Sequence, residues 1–190
     1  MCKRCDWGTS NELMIKYHDE EWGVPLYDDQ KLFEFLVLEG FQAGLSWQLV
    51  LNKRENFRRA FDNFDVQKVA AYGDNKVAEL LADAGIIRNR AKIRGCINNA
   101  GRFIEIQNEY GSFSSYMWNF VNHKPVIGKY TDMKQLPATT PLSDAISKDL
   151  KGRGFKFVGS TVVYSHLQAT GVVNDHLVYC YRYEEVQKVN

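Results

Sequence analysis

Four side chains near the two ends of the chain have the chemistry to hold a metal ion. Cys5 and His18 are separated by twelve residues, and His176 and Cys180 form a His-x3-Cys pair near the other end. On a helix that second spacing places both side chains on one face, one turn apart. Two Cys and two His make a complete tetrahedral set for zinc. Four protein ligands leave no open position, so such a site is structural rather than catalytic. It would staple the first and last segments, which otherwise tend to fray. The competing reading is four unrelated residues, since a lone Cys is most often a small buried hydrophobe. Cys2 offers a rival pairing, Cys2-x2-Cys5, weakened by its place beside the initiator Met.

A second concentration of chemistry lies in the first quarter of the chain. Three of the four tryptophans, Trp7, Trp22 and Trp47, fall within the first 47 residues, with Tyr17 between the first two. Glu39 follows Leu36-Val37-Leu38 and precedes Gly40. A carboxylate at a helix C-terminus faces the negative end of the macrodipole, which is unfavourable. An acid kept there in apolar company hints at function; the plainer alternative is an exposed end-of-helix Glu. Near the C-terminus, glycines bracket a short apolar piece in Gly154–Val163, and a helix start follows at Ser160. Such a hairpin exposes backbone N–H groups suited to phosphate, and Lys148, Lys151, Arg153 and Lys156 add positive charge. An ordinary helix–helix turn is the alternative. Arg88, Arg90, Lys92 and Arg94 sit at two-residue spacing, which wraps around a helix instead of lining one face. They read as a solvated surface.

The elements that must position these groups read as helices. Asp28-Asp29 open a stretch carrying Leu32, Phe33, Leu36 and Val37 that stops near Gly40, and a second run carries Trp47, Val50, Leu51, Phe57 and Phe61. Asp65 and Asp74 read as N-caps, the latter before a helix stopping at Gly85; residues 88–108 form a long amphipathic segment, and Ser112 caps another. Thr140-Pro141 is a cap followed by Pro at the first helical position. A helix spans about 160–170, Gly171 stops it, and a short last helix follows Asn174. The region from Asn122 to Thr139, with Pro125, Gly128 and Pro137, reads as an internal loop. No strand run stands out, so the fold class is all-α.

Composition limits the possibilities further. The 190 residues are 45% hydrophobic and 25% charged, with 24 Lys and Arg against 23 Asp and Glu. This excludes disorder, collagen-like sequence and coiled coil as the main state. The net charge of +1 argues neither for nor against nucleic acid, because a small basic face can hide in a balanced total. With no apolar run long enough for a bilayer and no apolar stretch behind the N-terminal charges, a cytoplasmic protein without membrane partners is expected.

Longer motifs carry a resemblance. Tyr17-His18-Asp19-x-Glu21-Trp22-Gly23-Val24-Pro25, Leu38-Glu39-Gly40-x-Gln42-Ala43-Gly44-Leu45-Ser46-Trp47, Lys53-Arg54-Glu55-Asn56, Phe120-Val121-Asn122, Arg153-Gly154-Phe155-Lys156-Phe157-Val158-Gly159 and Val173-Asn174-Asp175-His176 closely resemble the DNA-3-methyladenine glycosylase I family, from Cys5 to Cys180. The resemblance implies a fold of the helix-hairpin-helix glycosylase superfamily with one structural zinc per chain, held by Cys5, His18, His176 and Cys180. It implies hydrolysis of the N-glycosidic bond of 3-methyladenine in alkylated double-stranded DNA by base flipping, leaving an abasic site. Glu39 corresponds to the base-recognition carboxylate and is the expected catalytic residue. Trp7, Tyr17, Trp22 and Trp47 look like the pocket aromatics, and Leu45 like the apolar plug that fills the gap left by the flipped base. Gly154, Lys156, Gly159 and Ser160 are the expected DNA contacts of the hairpin. Met14 stands where some members have Tyr, which changes one pocket wall.

In related glycosylases of this superfamily a catalytic Asp follows a Val after the hairpin, whereas here Val173 is followed by Asn174 and only then Asp175. On a helix one residue turns a side chain by about 100°, so the two are not equivalent. A cationic base activates its own bond, which makes a missing Asp tolerable. No Lys is placed for a Schiff base, so a monofunctional enzyme without strand cleavage is expected. The chain reads as a single unit over 1–190, of one or two helical lobes with the base pocket between two such lobes, its termini 1–25 and 172–185 joined by zinc, and as a monomer. Two rivals remain: a non-catalytic helix-hairpin-helix DNA-binding module, and a zinc hydrolase or base deaminase. The first needs no carboxylate among aromatics; the second needs an open metal position.

Overall fold

The computed structural model describes residues 3–189, so Cys2 lies outside the described residues. Ten α-helices account for most of them: α1 (Glu12–Glu20), α2 (Asp29–Gln42), α3 (Trp47–Ala60), α4 (Val66–Ala70), α5 (Asp74–Ala82), α6 (Arg90–Tyr110), α7 (Phe113–Asn119), α8 (Pro141–Gly152), α9 (Ser160–Ala169) and α10 (Arg182–Glu185). The all-α expectation holds, with one small addition. Two two-residue strands, β1 (Val126–Ile127) and β2 (Val173–Asn174), pair in parallel, Val126 opposite Val173.

Polar caps set most helix starts. Asp28, Ser46, Asp65, Asn89, Ser112 and Thr140 each accept a backbone N–H from the first turn of the helix they precede. Thr140 and Ser143 form a reciprocal capping box ahead of Pro141. Asp74 is not a cap; Gly73 holds that position, and the Asp74 carboxylate accepts from Arg94 at 2.8 Å instead. Gly40 does not stop α2 either. The helix continues to Gln42, so Glu39 lies within its last turn.

Helix α2 is buried on almost every side, with nine of its fourteen residues inside. That is the pattern of a central helix, and it packs against α3, α6, α7 and α9. Its start is tied to α7, because Asp29 accepts the backbone N–H groups of Phe113 and Ser114 at 2.9 and 2.8 Å. Phe33, Phe41, Phe57, Phe61, Phe103 and Phe113 are fully buried around it, each contributing about 1.5–3 kcal/mol by transfer from water. A second, smaller cluster of Cys5, Met14, Tyr17, Trp22, Phe35, Leu51, Leu177 and Cys180 gathers the chain ends beside α2 and α3.

The expected last helix after Asn174 is replaced by β2 and a turn, and α10 begins only at Arg182. The reason is backbone pairing. Val126 N–H donates to Val172 O at 2.9 Å and Gly128 N–H to Asn174 O at 2.8 Å, which keeps this segment extended. Successive side chains of an extended segment point to opposite faces, so Asn174 and Asp175 differ more than a helical offset would make them.

Candidate active site and metal centre

Glu39 is held by the last turn of α2 and is 4% exposed. Around it stand Tyr17 from α1, Trp22 just beyond α1, Trp7 from the turn Asp6–Thr9, and Trp47 at the first position of α3. The rings touch in series, with centroids 4.9 Å apart for Trp7 and Trp22, 6.1 Å for Trp7 and Tyr17, and 5.3 Å for Tyr17 and Trp47. All five line one cavity of about 400 Å³, a size suited to a small ligand. Hollows of about 600 Å³ beside Tyr72 and about 500 Å³ on the far side of Tyr17 lack this combination. The latter is lined by Arg54 and Glu21, which pair at 2.8 Å.

The Glu39 carboxyl has neither a hydrogen-bond donor nor a cation beside it among the described residues, and burial alone pushes its pKa up to about 8. The Trp47 indole N–H is fully buried without a partner. Such orphaned polar groups are uncommon in a folded interior and call for an explanation. Burial, then the carboxylates of Glu39 and Glu21, raise the Tyr17 phenol well above its ordinary value, so it stays neutral. The site therefore offers a cage of mutually tilted aromatic rings and one acid whose natural counterpart would be a cation carrying N–H donors.

The remaining wall comes from places the residue patterns did not single out. The loop after β1 contributes Met133, Leu136, Pro137 and Ala138, and α9 contributes Thr161, Tyr164, Ser165 and Gln168. The spacing Thr161, Tyr164, Ser165, Gln168 marks one helical face and was the available signal. Asp175 lies behind this wall. It accepts a hydrogen bond from Tyr164 Oη and one of 2.8 Å from Gln168 Nε2. Asn174 instead accepts from His176 N–H at 3.2 Å and donates to Tyr183 O at 3.0 Å; it supports the chain turn next to His176.

Cys5, His18, His176 and Cys180 converge, with one donor atom from each lying within 4.8 Å of all the others, and all four residues are buried. The pair His176 and Cys180 sits in a turn, not on a helix as the spacing suggested. Ligand bonds of about 2.0–2.3 Å in a tetrahedron put neighbouring donors roughly 3.4–3.8 Å apart. Cys180 Sγ lies 3.5 Å from His18 Nε2 and 3.6 Å from His176 Nδ1, and Cys5 Sγ lies 3.8 Å from His176 Nδ1. Three of the six donor separations thus have tetrahedral lengths, and the set as a whole could hold a metal ion. Each imidazole is also oriented from behind, as metal-ligating histidines usually are: His18 Nδ1 meets Asp19 Oδ1 at 2.7 Å, and His176 Nε2 meets Trp22 O at 2.9 Å. Burial would raise the Asp19 carboxyl, but hydrogen bonds from Arg4 and His18 outweigh it and hold the group well below the usual range. A hydrogen bond from Cys5, aided by His176 and His18, keeps the Cys180 thiol far below its ordinary value. Gly8 is required here, since a Cβ would meet the His18 ring at 2.5 Å.

The model of the methyladenine glycosylase family matches residues 7–183. The chain belongs to that family. It is 51% identical over 178 residues to DNA-3-methyladenine glycosylase 1 of Escherichia coli (strain K12), covering 94% of this chain and 95% of that protein. It is 44% identical over 180 residues to DNA-3-methyladenine glycosylase of Haemophilus influenzae (strain ATCC 51907 / DSM 11121 / KW20 / Rd), covering 95% and 97%. A crystal structure of 3-methyladenine DNA glycosylase I superimposes with a TM-score of 0.91 at 49% identity, covering 94% of this chain and 98% of that one. A Tyr-to-Phe variant of 3-methyladenine DNA glycosylase I in complex with 3-methyladenine gives 0.91 at 37% identity, covering 94% and 96%.

In this member of the family the other sequence-derived positions lie apart from the cavity aromatics. Leu45 sits in the turn between α2 and α3 with 37% of its surface exposed. Gln42 closes that turn, accepting Leu45 N–H through its backbone carbonyl at 2.7 Å and donating Nε2 to Leu45 O at 2.8 Å. Gly154, Lys156, Gly159 and Ser160 lie in the hairpin between α8 and α9. Gly159 occupies the N-cap position of α9 with no side-chain cap, and Lys156 is exposed. Arg153, counted among the hairpin's cations, is engaged with Asp149 at 2.7 Å and Glu109 at 2.6 Å. Lys92 is no free surface cation either: its Nζ donates to Phe41 O and Ala43 O at 2.8 and 2.7 Å, satisfying the negative end of α2. Among the described residues, no helix is long and apolar enough to cross a membrane.

Proposed function

We propose that this chain is a DNA-3-methyladenine glycosylase, which flips a methylated adenine out of alkylated duplex DNA and hydrolyses its N-glycosidic bond. The observation that carries the reading is the unpartnered Glu39 carboxyl inside an aromatic cage. Methylation at N3 makes the adenine ring cationic while it is attached to the sugar, and the base departs neutral. The bond is thus already weakened, and the protein needs to select and hold. Ring faces attract a cation by about 0.5–2 kcal/mol per good contact. Glu39, ionised by the arriving charge, accepts from the exocyclic amino group, a charge-assisted bond of about 1.5–3 kcal/mol. Trp7, Tyr17, Trp22 and Trp47 form the base-binding walls, with Met14 as the apolar variant wall. Water is the nucleophile, and release of the free base leaves an abasic site. No lysine lines the cavity among the described residues, which supports a monofunctional enzyme.

Leu45 enters the stack as the plug, and Gly154, Lys156, Gly159 and Ser160 hold the DNA backbone as a helix-hairpin-helix element. Cys5, His18, His176 and Cys180 would bind one zinc ion; with four protein donors it supplies structure, joining 1–25 to 172–185. The chain acts as a single unit and as a monomer, with the cavity at the junction of its larger and smaller cores. Incubating the protein with methylated duplex DNA and identifying the purine set free tests the reading. Release of 3-methyladenine is expected; duplex binding without base release would favour a non-catalytic DNA-binding module.

A further inference from the structure

One stripe of α6 touches both elements assigned above to DNA. Lys92, Gly95 and Asn99 follow one another at three- and four-residue spacing, so they share a helix face. Lys92 Nζ grips the last carbonyls of α2, at Phe41 and Ala43, immediately before the turn that carries Leu45. Two turns further along, buried Asn99 makes a two-point bond to the hairpin backbone. Its Oδ1 accepts Lys156 N–H at 2.7 Å and its Nδ2 donates to Lys156 O at 2.8 Å. Neighbouring Asn98 Nδ2 donates to Gly154 O at 2.9 Å. Between these anchors Gly95 leaves room for the Phe157 ring, which an added Cβ would meet at 2.7 Å. Phe157 holds φ at +56° and is 41% exposed. A phenylalanine in the left-handed region persists only where its surroundings impose it, and here the clasp on Lys156 and the slot at Gly95 do so.

We infer that Lys92 and Asn99 are positioning residues for base excision: through α6 they fix the distance and angle between the Leu45 turn and the phosphate-gripping hairpin, so that backbone capture brings the plug into register with the lesion. The inference rests on the glycosylase reading. Neither residue lines the base cavity, which separates their effect from base recognition. Duplex DNA needs both elements engaged at once, whereas a free base needs neither. A rigid bridge turns the second engagement into an intramolecular event, and misalignment forfeits that gain.

The test compares wild type with Lys92→Met and Asn99→Ala in two assays on the full-length protein. One is kcat and KM for base release from methylated duplex DNA; the other is affinity for free 3-methyladenine, read by tryptophan fluorescence. Each variant should lose about tenfold or more in duplex kcat/KM, mostly through KM, while free-base affinity stays within about twofold. The salt dependence of duplex binding should flatten, its slope falling by about 0.9 for each phosphate that the misaligned hairpin fails to neutralise. Lys92→Arg, which keeps the cation, should recover most of the duplex activity. Should Asn99→Ala fail to fold, Asn99→Asp, which retains the acceptor for Lys156 N–H, serves in its place. Duplex kcat/KM within twofold of wild type, or parallel losses in duplex activity and free-base affinity, would overturn the inference. The glycosylase reading is judged separately, on base release by the wild type in the same assay.

Discussion

Replacing Glu39 by Gln should make the free protein more stable and the enzyme worse, and the size of the first effect follows from the site. Burial raises the Glu39 pKa from 4.5 to about 8. A carboxyl whose pKa is higher in the folded state favours folding while protonated in both states, below about pH 4.5. That advantage is lost as pH rises towards 8, because the unfolded chain ionises first. At pH 7 the gap is about 2.5 pH units, which at roughly 1.36 kcal/mol per unit is about 3 kcal/mol, rising to a plateau near 5 kcal/mol above pH 8. Glutamine has the same shape and no charge to desolvate. Glu39→Gln should therefore match the wild type near pH 4.5 and exceed it at pH 7 by about 3 kcal/mol, or roughly 6–12 °C in Tm for a chain of this size. Other buried titrating groups, such as His166 and Asp175, act equally in both proteins and cancel in the difference. The assay is thermal unfolding of both proteins from pH 5 to 9, with base release from methylated DNA measured alongside. Activity should fall at least about tenfold, since a charge-assisted bond becomes a neutral one. Parallel Tm curves across this range would show that residue 39 does not carry the burial cost assigned to it. Full activity of the variant would remove it from base recognition.

Further expectations concern the metal, the plug and pH. The purified protein should hold about one zinc per chain, and Cys180→Ser should lose most of it along with thermal stability; full metal content and an unchanged Tm would refute the staple. Asp19→Asn leaves all four donors in place but removes the carboxylate behind His18, so zinc affinity measured by chelator competition should fall about 10–100-fold. Leu45→Gly should lower duplex excision about tenfold, the worth of roughly half a buried leucine, with affinity for free 3-methyladenine unchanged; equal losses in both would argue against a plug. In the wild type, kcat/KM should rise with pH towards about 8 as Glu39 of the free enzyme ionises, and a Glu39→Gln profile should lack that limb.

Much of the architecture was legible because it depends on local chemistry. Asp28, Asp65, Ser112 and Thr140 announce helix starts through the backbone donors they satisfy, and 3.6-residue periodicity marks the buried faces. Asp74 and Gly40 misled for a physical reason. A cap or stop signal is only a weak local preference, and here Gly73 takes the cap position with Asp74 as the first helical residue, while α2 runs on past Gly40 beneath the Lys92 clamp. The segment around His176 misled too. The His-x3-Cys spacing suits a helix, but pairing with the distant Val126 strand decided otherwise.

The identities and spacing of Cys5, His18, His176, Cys180 and Glu39, together with the long motifs, sufficed on their own to indicate a metal-ligand set, a special acid and a family. Only the tertiary structure decided that the four donors converge within 4.8 Å of one another, that Glu39 has no hydrogen-bond partner among the described residues, and that α9 and the loop around Leu136 complete its cage. Only the structure shows α6 bonded at Lys92 to the end of α2 before the Leu45 turn and at Asn99 to the α8–α9 hairpin. Side-chain chemistry and helical periodicity are local and can be read along a chain. Desolvation, donor convergence and the clasp of Asn99 on Lys156 join residues far apart in sequence, and they exist only once packing has removed water and fixed those distances.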